Sequence, residues 1–365
     1  MLDALIQHQA NAYRANTALV NEMNKQFTTE SNAFVSSLRD ILDDLTESEK
    51  RALTAGKYNT DRLKDFKQTF DDWYASIAVS LPDLFVASAA AYVAIESGFI
   101  AKIYDGVADI TADKVVDRFK TTPVASGALF NELFKDLAQS ARNQALYAIR
   151  EGINSGLTNQ EIIAELRGKR TKVGDKYIYV GGIVEQTKDK IDANVRTARS
   201  ALANAAYNDT FTALGYEYVK FISTLDGRTT LICSSLSNNV YKISEPHPTP
   251  PLHFRCRSIL VGTDKDGNIA GKRPFVASDK PVSKIPKSER GGLVGQVDAN
   301  VGFKEWFARQ DSSFQKEWLG DTKFSLYRDG GYSIDKFVDP LGKEYTLKEL
   351  QELDQEIFKK LGLNG

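Results

Sequence analysis

The sequence predicts an α+β fold, with a predominantly helical N-terminal half followed by a smaller α+β domain and short C-terminal helices. Three observations lead there. Apolar residues recur at spacings of three and four through most of the chain from Ala4 to Leu214, the helical period. The period then changes to two over Tyr216 to Ser223, as a half-buried strand requires. Between Asp264 and Val301 the composition turns to Lys, Gly, Ser, Pro and Asp, which reads as an exposed arm able to lie along a neighbouring subunit. The expected units are a helical region over 1–125, a second domain over 126–263, a linker arm over 264–300 and a helical segment over 301–365.

Taken in order, Ala4, Leu5, Ala12, Tyr13, Leu19, Val20, Met23 and Phe27 predict one amphipathic helix, and Phe34 to Leu45 a second. Thr46 and Glu49 form a capping-box pair that opens a short helix ending near Gly56. A helix from Asp61 should break at Leu81-Pro82, because proline disfavours the helical conformation in the residue before it. The most apolar run, Leu84 to Ile95, reads as a buried core helix, since twelve residues between Asp83 and Glu96 are too few to span a bilayer. A helix over Ala128 to Asn154 stops at Gly156, and Thr158 with Glu161 caps another that runs to Arg167. Tyr177 to Val180 reads as a strand, and Val184 to Leu214 as a long alanine-rich helix closed by Gly215. Helices are expected at Phe303 to Arg309, at Ser312 to Leu319 and after Thr346, with Ser312/Gln315 and Thr346/Glu349 as caps. These C-terminal pieces should pack back on the domain before them.

With 365 residues the chain is long enough for more than one core. Hydrophobic residues make up 42% and charged residues 26%, which argues against global disorder. Forty-seven basic against 48 acidic residues argue against a surface that coats DNA throughout. The N-terminal residues lack a basic, then apolar, leader pattern, so a cytoplasmic site of synthesis and action is expected. Two cysteines cannot make a disulfide framework.

The chemistry-bearing stretch is FISTLDGRTTLICSSLSNNVYKISEPHPTPPLHFRCRSILVG, residues 221 to 262. A strand ending at Ser223-Thr224 leads into an Asp226-Gly227 turn, then Arg228, Thr229 and Cys233, with His253, Cys256 and Arg257 returning about twenty residues later. Asp226 and Arg228 suit a local ion pair or turn hydrogen bonds. His-x-x-Cys lets two side chains reach one metal, and Cys233 could be a third ligand, so zinc is a candidate. A closed structural zinc site has four ligands, and only His247 or Asp226 stands near enough in sequence to complete the set. The alternative is two reduced or loosely paired cysteines beside a hydrogen-bonded core histidine. No cofactor is otherwise expected. Arg228, Arg255 and Arg257 could also fork onto a phosphate or a carboxylate of a partner.

STLDGRTTLIC followed by PPLHFRCRS resembles the signature of the Mu F-like minor head proteins of tailed phages. The sequence departs from that signature at Leu231, where the family often has proline, and it lacks the extra cysteines of some relatives. AIREGINSGLTNQEIIAELRG upstream and FKEWFARQDSSFQKEWLG with FSLYRDGGYSIDKFVDPLGKEYTLKEL downstream extend the resemblance over roughly residues 140 to 355. The resemblance implies a non-enzymatic minor capsid protein for head morphogenesis, found at the portal vertex or in the capsid interior of the virion and in the host cytoplasm during assembly. It implies the portal protein as partner, with the major capsid or scaffolding protein and packaged DNA as further ones, and ejection with the DNA in some members. Stable membrane association is not expected. In this reading Asp226, Arg228, Thr229, Cys233, His253, Cys256 and Arg257 are structural.

Two other classes compete. One is a metal-dependent nuclease or toxin-like enzyme built on His253 with nearby Asp and Cys residues. The chain has no P-loop, no G-x-S-x-G and no H-E-x-x-H, which argues against it. The other is a membrane-active ejection protein built around Leu84 to Ile95.

Overall fold

The computed structural model describes residues 1–174 and 176–363. It is 61% helical, with a sheet-containing α+β region and short C-terminal helices, as the sequence predicts. The chain divides into two compact units. One comprises Met1–Asn11, Ala94–Thr111 and Ala203–Gly365, and the other Ala12–Val93 and Ala112–Leu202. These boundaries do not fall at residues 125, 263 and 300, because spatially adjacent segments are distant in sequence.

The two N-terminal helices expected from the sequence are one, Leu2–Asp44. The polar segment between the two stripes holds no glycine or proline, and the Thr28 and Thr29 hydroxyls donate to the carbonyls of Asn24 and Lys25 four residues back. A threonine hydroxyl within a helix can be satisfied in this way without a break in the backbone ladder. The capping boxes at Thr46/Glu49, Thr158/Glu161 and Thr346/Glu349 all form.

Leu81-Pro82 does not break the helix. Leu81 stays helical (φ −68°, ψ −45°), and the turn just before it, Ser76–Ser80, widens to a π-helix. Proline removes an amide donor and crowds the carbonyl four residues back, and a widened turn accommodates both. The interruption comes at Ser88 (φ −107°, ψ 1°), between Leu81–Ala87 and Ala89–Ile103. The helical stretch that carries the apolar run therefore extends well beyond its twelve residues. The helical stretch Asp61–Ile103 is long and apolar enough, by length and composition alone, to cross a membrane. Phe85, Ala89, Val93 and Ile100 in it are fully buried, whereas Val79 and Ile95 are exposed.

In the second unit Phe34 stacks on Trp73 at 4.2 Å, and the Trp73 indole donates to Ser31 Oγ. The buried Arg199 guanidinium lies over the Phe85 and Tyr92 rings, at 4.4 and 4.6 Å. The same unit carries a hairpin of β1 (Lys169–Val173) and β2 (Lys176–Val180), of which sequence periodicity found only the second strand. Every residue of β1 is exposed, so it has no apolar alternation to read.

The first unit holds two three-stranded sheets. In one, β3 (Tyr218–Ile222) lies between β5 (Val240–Lys242) and β6 (Ile259–Thr263), all antiparallel. In the other, β4 (Leu225–Asp226) pairs parallel with β7 (Lys272–Val276), which pairs antiparallel with β8 (Val294–Asp298). The stretch expected to be an extended arm thus contains two strands. Its composition concealed them because the side chain that β7 buries fully is Arg273, not an apolar residue. Phe275, Leu293 and Val297 pack against a core of Phe303, Trp306, Phe307, Leu326, Phe337 and Leu350, so the C-terminal helices do fold back. Two of those helices, Asp321–Arg328 and Gln355–Lys360, were not expected. Ser312 is not a cap: Asp311 accepts from the Phe314 amide instead, and Gln315 Nε2 donates to the Phe307 carbonyl.

Candidate functional site

The signature residues gather where β3 hands over to β4. Gly227 follows Asp226 and runs so close to another segment that an added Cβ would stand 2.8 Å from the Asp279 amide nitrogen and the Ser278 carbonyl carbon. Its own N–H donates to Ser278 O at 3.0 Å, and Thr229 N–H closes the turn on Asp226 O at 3.2 Å. The Asp226-Gly227 turn is therefore formed, with glycine selected by proximity rather than by backbone angle.

Asp226 is buried, and both its oxygens are occupied. Oδ1 accepts from the Arg228 amide (3.0 Å), the Thr229 hydroxyl (3.2 Å) and Arg257 Nη2 (2.9 Å). Oδ2 accepts from Arg228 Nη2 (3.1 Å) and Arg257 Nη1. Burial pushes the Asp226 carboxyl up, but the Arg257 bonds and charge, with Arg228 beside them, outweigh it and hold the group below its ordinary range. The Thr229 hydroxyl also lies 2.8 Å from Thr224 O, and the Trp318 indole donates to Thr229 O at 2.9 Å.

Cys233 sits on the short helix Leu231–Ser235, capped by Thr230 Oγ1. His253 and Cys256 lie on the loop between β5 and β6. The return loop brings them to the helix, so that Cys233 Sγ is 3.2 Å from His253 Nε2 and 3.6 Å from Cys256 Sγ. The ligand atoms of all three lie within 4.8 Å of one another, and both cysteines are free and buried. The Cys233 hydrogen bond, aided by His253, holds the Cys256 thiol well below its ordinary range despite burial. Its neighbour Cys256, together with burial, pushes the Cys233 thiol up, and the bond to Cys256 raises His253. Two sulfurs and an imidazole nitrogen gathered this closely are donors of the kind that suit a soft cation.

The other sequence candidates fall outside this group. His247 stacks on Tyr241 at 5.7 Å, with Nδ1 against Glu245 O. Arg255 is exposed and takes a left-handed conformation (φ 58°) between His253 and Cys256. Arg228 and Arg257 are spent on Asp226, so the three arginines do not converge as a phosphate fork.

Sequence reasoning missed Arg273 and Lys220. Arg273 is 1% exposed, and it donates to Ser223 O, Val301 O (2.7 Å) and Asn238 Oδ1 (3.1 Å), with burial lowering its pKa. Lys220, on β3, donates to Gly267 O (2.9 Å) and Asn300 Oδ1 (3.2 Å), and burial lowers it as well. Both bury cations against carbonyl and amide oxygens, and no local pattern marks such a pairing in the sequence. A cavity of about 300 Å³ opens beside the Asp226 turn, lined by Arg228, Thr230, Asp279, Trp318, Lys323 and Glu344 among others.

Residues 143–261 match the family described as Phage Mu protein F like protein. Over that segment the chain is similar to the Mu F-like family. The matched segment runs from inside the helix Phe130–Asn154 to β6 and contains every signature residue from Asp226 to Arg257. The match ends at residue 261, before the C-terminal residues 303–350, whose resemblance to the family is an expectation from the sequence. No curated protein and no solved structure matches the chain. The Mu F-like family suggests a context of phage head morphogenesis.

Proposed function

We propose that this chain is a minor capsid protein of a tailed bacteriophage, working in head morphogenesis as an assembly component at the portal or on the inner capsid. The observation that carries the reading is the Mu F-like match over 143–261. The geometry supports it, because Asp226, Arg228, Thr229 and Arg257 are spent on one another. Asp226 has both oxygens taken by arginines, whereas a metal-dependent nuclease needs carboxylate oxygens open to its ions. The signature acts as a clamp that joins β4 to the loop before β6.

The portal protein is the first partner in this reading. Packaged DNA is a second, met by the β1–β2 hairpin, where Lys169, Arg170 and Lys172 lie beside exposed Tyr177 and Tyr179. Arg170 stacks over the Tyr177 ring at 4.4 Å and Arg167 over Tyr179 at 5.2 Å. Basic residues interleaved with aromatic faces suit an anionic strand.

Cryo-electron microscopy of the virion, and of this chain mixed with its phage's portal, tests the assignment. Density on the portal or inside the capsid is the expected result, and its loss from emptied particles would mark ejection with the genome. Absence of the protein from particles would overturn the assignment.

A further inference from the structure

We infer that Cys233, His253 and Cys256 form a binding site for a zinc-class divalent cation, held by two sulfurs and one imidazole nitrogen. The first argument is distance. A tetrahedral ion with bonds of about 2.3 Å to sulfur and about 2.0–2.1 Å to nitrogen sets its ligands about 3.8 Å apart for two sulfurs and about 3.5 Å for sulfur and nitrogen. The structure has 3.6 Å between the two sulfurs and 3.2 Å between Cys233 Sγ and His253 Nε2. A shift of a few tenths of an ångström in side chains would seat the ion. A disulfide needs the sulfurs at about 2.05 Å, a much larger movement.

The second argument is the orientation of His253. Its Nδ1 lies 2.9 Å from Phe254 O, a group that can only accept, so Nδ1 carries the hydrogen. The lone pair of the neutral ring is therefore on Nε2, the atom that faces the sulfurs. A backbone carbonyl that fixes the tautomer in this way is the usual support for a metal-bound histidine. The left-handed turn at Arg255 lets the His-x-x-Cys segment fold on itself, with the Cys256 amide donating to His253 O at 3.1 Å. Both ligands of the loop then face Cys233.

The third argument fixes the ligand number. Asp226 is saturated by Arg228 and Arg257, and His247 stacks elsewhere, so neither completes the set. Three protein ligands leave one position for water, entering beside His253, the least buried of the three. On binding, the ion displaces the protons remaining on the two sulfurs into solvent, while Nε2 of the neutral ring is already free to coordinate. Its place is structural: it would tie the helix that follows the Asp226 turn to the loop whose next residue is Arg257. This site is independent of the head-assembly reading.

The test uses the full chain, reduced, loaded with Zn²⁺ alone or Co²⁺ alone and freed of excess by gel filtration. One ion per chain is expected, with the thiolate charge-transfer and intense visible bands of tetrahedral cobalt. Cys256→Ser and His253→Ala should retain at least tenfold less metal, and His247→Ala should retain the full ion. Zn²⁺ should also slow the reaction of both wild-type thiols with a thiol reagent at least tenfold, a readout that needs no variant to fold. Metal retention no greater than in Cys256→Ser, or thiols equally reactive with and without Zn²⁺, would overturn the site. Equal loss of metal in His247→Ala and His253→Ala would overturn the assigned ligands.

Discussion

Arg257 grips Asp226 by both carboxylate oxygens, Nη1 on Oδ2 and Nη2 on Oδ1, across 31 positions of sequence. Removing one member of such a buried pair strands the other. Arg257→Ala is expected to destabilise the protein by about 2–3 kcal/mol, less than a fully uncompensated charge because Arg228 remains on Asp226. Arg257→Lys should recover little, since an ammonium cannot span both oxygens. Chemical denaturation followed by tryptophan fluorescence measures both.

Glu49 accepts from the Thr46 amide, and from the hydroxyls of Thr60 and Thr46, with Arg62 nearby. The Thr46 amide first, then those hydroxyls, hold its carboxyl down to about 2. A depressed carboxylate contributes stability that is fully present above its unfolded value, about 4.3, and is lost as pH falls toward about 2. Glu49→Gln should therefore be less stable at pH 7 and show a flatter stability profile between pH 4.5 and 2. Equal acid slopes for the two proteins would contradict this role.

At Gly227, a methyl group would be driven into the backbone of Ser278 and Asp279 rather than into a movable side chain. Gly227→Ala is expected to cost about 1–3 kcal/mol by overpacking. Gly291→Ala, where nothing stands within 4 Å, is the control and should be close to neutral. Thermal melts of the two proteins decide the point.

For the hairpin, reversing charge at Arg170 and Lys172 should weaken binding to single- or double-stranded DNA and reduce the salt slope of log affinity by about 2. Titrations at several salt concentrations provide the slope. An unchanged slope would remove the hairpin from the DNA interface.

What could be read from the sequence was whatever is encoded locally. Thr158 with Glu161, Gly215 after a long helix and the alternation of Tyr216 to Ser223 each declare an element within a few residues, and each element forms. The proximity of Cys233, His253 and Cys256 was also foreshadowed, because a turn and a return loop flank them. Three of the features that were not legible show why. Pro82 is tolerated through a widened turn upstream. The pairing of β7 with β4 joins residues some fifty positions apart, and its fully buried side chain is a cation. Asp311 displaced Ser312 as cap, a choice between adjacent capping residues that pattern alone does not resolve.

The division of the chain at Asn11, Val93, Thr111 and Leu202 makes the two units interleaved rather than consecutive. A fragment that ended at residue 125 would take portions of both units and complete neither, and one that ended at residue 263 would hold the whole of the second unit but truncate the first. Leu2 and Leu5, fully buried, belong to the same unit as residues beyond Ala203, so that unit cannot close until most of the chain has been made. Exchange of a segment of the first unit between related genes would succeed only where its distant companions in that unit travelled with it.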